Sequence, residues 1–440
     1  MLFNYRLRDL PRMLLTPGGR IQIRGGIKYR IYPLIFPLAW IYRRTVGRGT
    51  RTIVVVGSFG KSTTTRTVSA ALGIAPHPDM VRNYSSYVAL ALLRVRLSQP
   101  WAVIEVGIGG PGQMAGYARL TRPDVVVVTS IGSEGTTRLG ALENIRTEKL
   151  PMLRALPASG IALVNGDDPH VMWMAGQTTA RVITYGFGPQ CDIRASDLRL
   201  EWPQGSYFKV DALGVKREVR VRLIGRHMMY PALAAIAVSR LEELDLDLVL
   251  PRLALLPPTP GRMEPIALSD GVTVLRDDFK ATLETMYAAL DLFVEVPARR
   301  RIVVFGDVNE PPPDRSVVYE GLGAQVAKAA DQFIVVGSGY AEYSKGARRA
   351  GMPETAVYDG GTTPSTAVAT LRSILKPGDA VLIKGRRGQM LDRIRLALQG
   401  ECVRCDLSLC DLSTECSDCP VLAEGWGGKP YFLQHNVTAQ

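Results

Sequence analysis

The sequence predicts an α/β protein with two mostly parallel sheets, and three observations support this fold class. From residue 51 onward, short apolar segments alternate with helical segments, which is typical of parallel strands covered by helices on both faces. Proline-rich residues 256–261 separate two such alternations and suit a stiff hinge between domains. A loop of glycine, lysine and hydroxyl residues follows the first apolar segment, at residues 57–64.

The predicted elements follow the chain in order. The first alternation has apolar strands at residues 52–56, 102–106, 124–129, 161–164 and 181–185, then a polar, strand-like stretch at 191–223 and a helix at 230–248. The second alternation has strands at 273–276, 301–305, 332–336 and 379–383, and helices at 282–294, 318–330, 365–375 and 389–398. The expected organisation is an N-terminal segment 1–50, a central domain 51–260, a C-terminal Rossmann-like domain 261–400 and a cysteine-rich tail 401–440.

Positive charge is concentrated in the N-terminal segment. The chain of 440 residues carries a net charge of +12, and residues 1–51 hold eleven Lys and Arg residues but one acid, Asp9. No recognised nucleic-acid-binding module accompanies this charge, so nucleic acid is not an expected partner. The basic surface is expected to serve another partner.

The same segment contains an apolar stretch with basic flanks. Residues 31–42 include two prolines and are too few to span a bilayer, which needs about 20 residues. No small-residue cleavage site follows, so a signal peptide is not expected. Two interpretations stay open. The stretch lies in a membrane interface and is attracted by anionic lipid, or it packs on the main domain while its arginines face water.

The loop after the first strand has the composition of a phosphate-binding loop. Backbone N–H groups of such a loop and the positive end of the following helix bind phosphate, a lysine reaches the β- and γ-phosphates, and a hydroxyl binds Mg²⁺. An ordinary strand-to-helix turn is the alternative. The central domain is therefore predicted to be a P-loop ATPase domain. Its predicted nucleotide-binding residues are Gly57, Ser58, Gly60, Lys61, Ser62 and Thr63.

Several further blocks occur in a characteristic order. They lie at residues 104–107, 122–124 with 129–132, 165–169, 261–264, 277–278, 306–310, 376–379 and 384–388. Together with the short loop, this ordered set resembles the Mur ligase family of ATP-dependent amide ligases. It looks most like the MurF branch, which adds D-alanyl-D-alanine to the muramoyl tripeptide. The resemblance covers roughly residues 51–398.

The resemblance implies a reaction in which ATP phosphorylates a substrate carboxylate and an amine then displaces phosphate. Lys61 would hold the phosphates, and Ser62 and Glu105 would bind Mg²⁺. Lys149 matches a family lysine that supports a second metal or the acyl phosphate, and Asn165 belongs to the nucleotide-binding set. The alternatives are a turn-capping role for Glu105 and a solvated helix face for Lys149.

The second domain supplies the other implied site residues. Arg262, just after the hinge, matches a family arginine that contacts the ATP phosphates when the domains close. Asp277 and Asp278 match the position of a ribose contact. Lys384 and Arg387 match a motif that binds the carboxylate of the incoming substrate. Ordinary basic loop residues are the alternative for this last pair.

Two departures from the family pattern bear on function. Gly135 occupies about the place of a metal-binding histidine, so a second Mg²⁺ site would need another ligand, such as Glu134. Only about 50 residues precede the phosphate loop, too few for the domain with which MurF holds its UDP-sugar substrate. The acceptor is therefore either not a UDP-muramoyl peptide, or it is presented by another protein or the membrane.

The expected function is amide-bond formation between the carboxylate of a small-molecule or lipid-linked cell-wall-type precursor and an amino acid or dipeptide. The alternatives are a ligase for a polyglutamate- or cyanophycin-type chain and a nucleotide-binding scaffold that recruits a protein partner. The expected location is the cytoplasm, including the inner face of the membrane.

The tail contains five of the six cysteines. Its two Cys-x-x-Cys pairs predict a structural Zn²⁺ site with four thiolates, for which Cys410 is a replacement ligand. An iron–sulfur cluster and disulfides are the alternatives. The predicted zinc ligands are Cys402, Cys405, Cys416 and Cys419.

Overall fold

The computed structural model describes residues 10–75, 77, 82–410, 412 and 414–425. Two short helices open the described chain, α1 (Leu10–Leu14) and α2 (Pro17–Arg30). The chain then forms two compact units: Ile31–Thr259, and residues from Pro260 onward, with which α1 and α2 are grouped. Each unit contains one sheet, and most strands in both sheets are parallel. The predicted mixed α/β fold is confirmed.

The first unit is built around an eight-stranded sheet with the order β2-β1-β3-β4-β5-β6-β7-β8. Its strands are β1 (Arg51–Val56), β2 (Trp101–Glu105), β3 (Val125–Val128), β4 (Ile161–Asn165), β5 (Arg181–Gly186), β6 (Ile193–Glu201), β7 (Gly205–Ala212) and β8 (Val215–Val221). The first six strands pair in parallel, and β6, β7 and β8 form antiparallel hairpins. The polar 191–223 stretch is thus a three-stranded extension of the parallel sheet.

Helices cover the apolar strands of this sheet. They are α3 (Tyr32–Arg44), α4 (Lys61–Ala71), α5 (Ser85–Leu93), α6 (Gln113–Thr121), α7 (Thr136–Leu139), α8 (Leu142–Arg154), α9 (Pro169–Ala175), α10 (Met229–Leu241) and α11 (Leu246–Leu255). Every residue of the valine run in β3 is buried, as is expected of a central strand covered on both faces. This core fixes the ends of β1, β3 and β4, where the site residues lie.

The predicted helix 230–248 is instead two helices, α10 and α11. The chain reverses at Glu243, whose φ of 55° lies in the left-handed region. Asp245 then caps α11 by accepting a hydrogen bond from the amide of Asp247 at 2.9 Å. The continuous apolar pattern hid this break because both helices bury apolar residues on the same unit.

The apolar N-terminal stretch forms α3, with Pro33 in the first turn, where a proline is tolerated. Tyr32, Ile35 and Phe36 pack against the core of the first unit. One face of the segment therefore packs on the main domain, as one of the two interpretations expected. None of the helices in the described ranges combines the length and apolar character needed to cross a bilayer.

Arg43 anchors the end of α3. Its buried guanidinium donates hydrogen bonds to the carbonyl oxygens of Thr121 at 2.9 Å and Gly47 at 2.7 Å. It also pairs with the Asp124 carboxylate at 3.2 Å. A buried cation with this many acceptors is compensated for its lost hydration, so α3 is held against the start of β3.

The second unit has a six-stranded sheet with the order β13-β12-β11-β14-β10-β9, in which β9 is antiparallel. Its strands are β9 (Glu264–Ala267), β10 (Thr273–Asp277), β11 (Arg301–Phe305), β12 (Gln332–Val335), β13 (Val357–Asp359) and β14 (Ala380–Lys384). Its helices are α12 (Leu283–Glu295), α13 (Arg315–Ala329), α14 (Tyr340–Arg349), α15 (Pro364–Ile374), α16 (Asp392–Leu398) and α17 (Val421–Glu424). The predictions omitted β9, α14 and β13, because the two strands are short and α14 is mostly polar.

Candidate functional site

The loop between β1 and α4 passes close to the end of β3. A Cβ atom added to Gly57 would lie 2.0 Å from the Thr129 hydroxyl oxygen, so no larger residue fits there. The amide of Ser58 donates to the Ser130 carbonyl oxygen at 2.7 Å, and the amide of Phe59 donates to the Ser130 hydroxyl at 2.9 Å. The loop is therefore held in one conformation by the neighbouring strand.

The first turn of α4 presents backbone donors to the loop. Gly60, with a φ of 77°, precedes the helix, and the first intrahelical bond runs from the Thr64 amide to the Gly60 carbonyl at 2.9 Å. The amides of residues 61–63 have no acceptor within the helix, and the helix dipole adds positive potential at this end. This donor set fits a phosphate group.

Lys61 lies buried at the start of α4. Its ammonium donates to the Ser58 carbonyl oxygen at 2.9 Å and pairs with the Glu134 carboxylate at 3.2 Å. Glu134, considered from the sequence as a ligand of a second Mg²⁺, is thus the ion-pair partner of Lys61, and its role as a metal ligand stays a prediction.

Ser62 and Glu105 are brought together as predicted for a Mg²⁺ site. The Ser62 hydroxyl lies 3.2 Å from Glu105 Oε1, and Glu105 is only 1% exposed at the end of β2. A hydroxyl and a single carboxylate fit Mg²⁺, which retains waters and phosphate oxygens as its other ligands.

Asn83 is a site residue that the sequence reasoning missed. The Asn83 side-chain Nδ2 donates to Glu105 Oε1 at 2.5 Å, and the Asn83 backbone carbonyl oxygen accepts a hydrogen bond from the Gly107 amide at 2.7 Å. Asn83 orients the carboxylate at the end of β2. No signal in the sequence marked it, because it lies outside every block of the family pattern.

Lys149 on α8 is buried, with 3% exposure, which excludes the alternative of a solvated helix face. Its ammonium donates to the Ser58 hydroxyl at 3.3 Å, so it lies against the phosphate loop. Asn165, at the end of β4, donates to the Thr129 carbonyl oxygen at 2.9 Å. Thr63 is buried in the first turn of α4.

The second unit contains a buried ion pair. Lys384, which is fully buried, contacts the Asp277 carboxylate at 2.5 Å and the Lys280 carbonyl oxygen at 3.0 Å. Burial lowers the pKa of Lys384, and the adjacent Asp277 opposes that effect. The pair joins the ends of β10 and β14, so the Lys384 side chain lies in the interior rather than on a surface that a substrate reaches.

Two predicted arginines lie against one aromatic ring. The Arg262 guanidinium carbon is 4.3 Å from the centroid of the Phe279 ring, and that of Arg387 is 4.7 Å from it. The ring restricts both guanidinium groups through cation–π contact. Arg387 keeps 40% of its side chain exposed and pairs with the Glu415 carboxylate at 3.9 Å.

Asp278 belongs to a buried charge network around Arg276. The guanidinium Nε of Arg276 lies 2.8 Å from the Asp278 carboxylate and 2.9 Å from that of Asp392. Burial raises the pKa of Asp278 to about 6, although the positive charge of Arg276 opposes this shift.

The structure brings together only part of the predicted cysteine set. A cavity of about 20 Å³ is bordered by Cys405, Cys410, Cys416 and Cys419. Cys402 is exposed and does not border it. Within the described ranges, no three or more His, Cys, Asp or Glu side chains are arranged to hold a metal ion, so the predicted zinc site is not found as such.

Two family models match the chain. The Mur ligase middle domain matches residues 55–239, and the Mur ligase glutamate ligase domain matches residues 261–387. The chain belongs to the Mur ligase family. As a Mur ligase it is an ATP-dependent, ADP-forming enzyme, and the predicted family resemblance is confirmed.

Relatives of this Mur ligase include enzymes named UDP-N-acetylmuramoyl-tripeptide–D-alanyl-D-alanine ligase. The one from Mycobacterium tuberculosis (strain CDC 1551 / Oshkosh) is 28% identical over 381 residues, covering 80% of this chain and 74% of the relative. The one from Bacillus subtilis (strain 168) is 26% identical over 351 residues, covering 79% and 75%.

Solved structures of MurF have the same fold as this Mur ligase. MurF from Acinetobacter baumannii superposes with a TM-score of 0.73 at 20% identity, covering 84% of this chain and 81% of that one. MurF ligase from Thermotoga maritima in complex with ADP superposes with a TM-score of 0.72 at 21% identity, covering 83% and 84%.

The raised pKa of Asp278 predicts a pH effect on stability. Between about pH 4 and pH 6, the folded state holds a proton on Asp278 that the unfolded chain has released, so this group's contribution to stability falls as the pH rises. Asp278→Asn retains an oxygen acceptor for Arg276 and removes the titration. The free energy of unfolding of this variant should therefore improve relative to wild type from pH 4 to pH 6, measured by denaturant titration at several pH values.

The matched control is Asp291→Asn, at an exposed position on α12. The change that this variant shows over the same pH range is subtracted from that of Asp278→Asn, as the effect of removing an exposed carboxylate. A constant difference for Asp278→Asn after this subtraction would show that Asp278 does not titrate in this window.

Proposed function

We propose that this Mur ligase joins the carboxylate of a muramoyl-peptide precursor to the amine of D-alanyl-D-alanine at the expense of ATP. The observation that carries the proposal is the arrangement at the N-terminus of α4. There Lys61 and the amides of the first helical turn follow a glycine-containing loop, and the Ser62 hydroxyl meets the Glu105 carboxylate at the end of β2. The names of the relatives from Mycobacterium tuberculosis and Bacillus subtilis support the choice of substrates.

In the proposed reaction, a carboxylate oxygen of the precursor attacks the γ-phosphorus of ATP and ADP leaves. The amine nitrogen then attacks the acyl carbon, phosphate leaves with the bonding electrons, and the amine loses its proton. Lys61 and the amides of residues 61–63 stabilise the charge on the phosphate oxygens. Ser62 and Glu105 would hold Mg²⁺, which supplies further positive charge when bound. Lys149 positions the loop through the Ser58 hydroxyl.

Residues of the second unit complete the proposal. The family resemblance implies a phosphate contact for Arg262 and a contact of Arg387 with the carboxylate of the incoming dipeptide. In support, Phe279 restricts both guanidinium groups. We retain the proposal that Asp277 and Asp278 occupy the position of the family's contact with the ATP ribose. Residues 256–261 are still proposed to act as a hinge. Lys384 acts through Asp277, since burial keeps it from substrate. Asn165 and Thr63 keep their proposed place in the nucleotide site.

A polyglutamate-type ligase is the second candidate. Folylpolyglutamate synthase from Mycobacterium tuberculosis superposes with a TM-score of 0.59, below the values for MurF, and its 18% identity concerns the fold alone. A scaffold without catalysis is disfavoured by the retained Lys61 and Ser62–Glu105 geometry. We place the enzyme in the cytoplasm, where ATP is available.

Lys61→Ala should abolish most turnover, since the phosphate oxygens would lose their positioned cation. We expect a fall in the rate of about 10²- to 10³-fold. The measurement is ADP release from ATP in the presence of Mg²⁺, D-alanyl-D-alanine and the muramoyl tripeptide, supplied in UDP-linked and in lipid-linked form, with mass spectrometry of the amide product. The control is Lys209→Ala, which removes a half-exposed lysine paired with Asp197 at 2.9 Å and should leave the rate unchanged.

If Lys61→Ala turned over substrate at the wild-type rate, the catalytic role of the loop would be contradicted. If the wild type shows amine-stimulated ADP release with other acceptors but not with the muramoyl tripeptide, the muramoyl substrate is rejected. The proposed ligase reaction would not be contradicted by that result. A wild-type protein that releases no ADP with any amine would support the scaffold.

Glu105→Gln should raise the Mg²⁺ concentration needed for half-maximal turnover by about tenfold or more, because a neutral amide binds Mg²⁺ far more weakly than a carboxylate. Glutamine keeps an oxygen that accepts from Asn83, so the local structure is conserved. The exposed Glu218→Gln serves as the control. An unchanged Mg²⁺ titration for Glu105→Gln would reject Glu105 as a ligand.

We also propose that the tail binds one Zn²⁺, with Cys410 in the place predicted for Cys402. The support is that Cys405, Cys410, Cys416 and Cys419 border one cavity while Cys402 is exposed. Four thiolates are the usual ligands of structural zinc. Binding requires the four thiols to close on the ion, since they do not form a metal cluster as they stand.

Elemental analysis of the reductively purified chain should find about one Zn²⁺ per chain. Cys410→Ser should lose the metal and Cys402→Ser should retain it. If Cys402→Ser loses the metal and Cys410→Ser retains it, Cys402 is the ligand. A wild-type chain without bound Zn²⁺ would exclude the zinc site.

A further inference from the structure

A basic groove lies at the edge of the first sheet opposite the phosphate loop. Because β1 and β3 are parallel, the loop that follows β1 lies at the carboxyl ends of the strands, and the residues that precede β3 lie at the amino ends, on the opposite side of the sheet. A groove of about 830 Å³ is formed there by the end of α3, the ends of α6 and α8, and the start of β3. Its lining includes six arginines, namely Arg43, Arg44, Arg48, Arg119, Arg122 and Arg154.

The charge of this groove is largely uncompensated by the protein. Asp124 is the one carboxylate among the described lining residues. It is already used, because one of its oxygens accepts from Arg43 at 3.2 Å and from the Thr52 amide at 2.7 Å. The charge of the Arg43 guanidinium is thereby balanced by Asp124, and its side chain is held in place. The positive charges of the other five arginines add up across the groove.

Four of these arginines offer their guanidinium groups to solvent. Arg48, Arg119, Arg122 and Arg154 are exposed, and no side-chain hydrogen bond or ion pair joins them to the described part of the chain. Arg44 stacks on Trp40, with its guanidinium carbon 3.8 Å from the ring centroid. Burial, followed by the like charges of Arg122 and Arg43, lowers the pKa of Arg44, so these cations repel one another. An anion in the groove would relieve this repulsion.

An exposed apolar face adjoins the groove. Leu34, Leu38 and Ile41 recur at helical spacing on α3 and are 70%, 58% and 52% exposed. Trp40, which stacks on Arg44, is also 41% exposed and links this face to the groove. The opposite face of α3 packs on the core. Apolar side chains next to exposed arginines, with a tryptophan between them, match the layers of a bilayer surface.

We propose that α3 and the arginine groove form one docking surface for an anionic phospholipid bilayer. In this arrangement, Leu34, Leu38 and Ile41 enter the headgroup–acyl boundary, and the groove arginines bind lipid phosphates. The charge of the groove and the apolar face next to it favour lipid over a soluble anion, which would leave the apolar face in water. The six residues of β1 separate this surface from the phosphate loop by about 20 Å. Docking therefore leaves the nucleotide site facing away from the membrane.

Vesicle co-sedimentation of the full chain tests the proposal. Vesicles of phosphatidylcholine alone and with 30% phosphatidylglycerol are compared at low and high salt. The wild type should bind the anionic vesicles, bind the neutral ones much more weakly, and lose affinity as the salt concentration rises. The triple variant Arg119→Gln, Arg122→Gln, Arg154→Gln should lose about 100-fold in affinity, at about one kcal/mol for each charge near the surface.

The matched control is the triple variant Arg194→Gln, Arg217→Gln, Arg220→Gln, which removes the same charge from exposed positions on β6 and β8. It should bind anionic vesicles within about threefold of wild type, since these arginines lie outside the groove.

The apolar face is tested separately by the double variant Leu34→Ser, Leu38→Ser. It should lower affinity about tenfold or more, at high salt as well as low, because it removes buried apolar area rather than charge.

Amine-stimulated ADP release should stay at the wild-type level in every variant, which shows that the fold and the nucleotide site are intact. Three outcomes would overturn the proposal: no vesicle binding by wild type, equal losses in the groove and control triples, or binding of inorganic pyrophosphate in the groove without vesicle binding. The last result would assign the groove to a soluble anion.

Discussion

The close approach of the phosphate loop to the end of β3 is the constraint on which the first unit depends. Gly57 leaves no room for a side chain beside Thr129, and Ser130 binds the loop backbone from the other strand. This contact sets where α4 begins, and the start of α4 sets the positions of Lys61 and Ser62. Because β1 and β2 are in register with Val55 beside Glu105, the carboxylate reaches the Ser62 hydroxyl without any loop adjustment.

Charged groups in both units are paired with other groups of the protein. Lys61 pairs with Glu134, Lys384 pairs with Asp277, and Arg276 is surrounded by carboxylates. A buried charge without a partner is strongly destabilising, so each pair compensates for the hydration that its members lose. The two kinds of pair differ in exposure. The Glu134 side chain is 33% exposed, whereas those of Lys384 and Asp277 are 1% and 9% exposed.

The arginines near the end of α3 have two different roles: one is buried and stabilises the fold, and the others line a surface groove. Arg43 is used to hold α3 against the main unit, and the arginines around it line a groove at the far edge of the sheet. The basic N-terminal segment is therefore completed by residues from α6 and α8, which are distant in sequence. The count of basic residues in positions 1–51 therefore includes only three of the six arginines that line the groove.

Local patterns in the sequence determined the alternation of strands and helices, the tight glycine-containing turn after β1 and the family, because strand burial and tight turns depend on near neighbours. The sequence did not reveal the break at Glu243 or the contact between Asn83 and Glu105. It marked Lys149 as a site residue but left a solvated helix face as the alternative, and its contact with Ser58 on a distant part of the chain decides between them. The cysteines illustrate the same limit. Spacing alone paired Cys402 with Cys405, whereas the folded tail brings Cys410 to the cavity and leaves Cys402 in solvent. Which side chains share a site is decided by packing over long sequence distances, and only the tertiary structure contains that information.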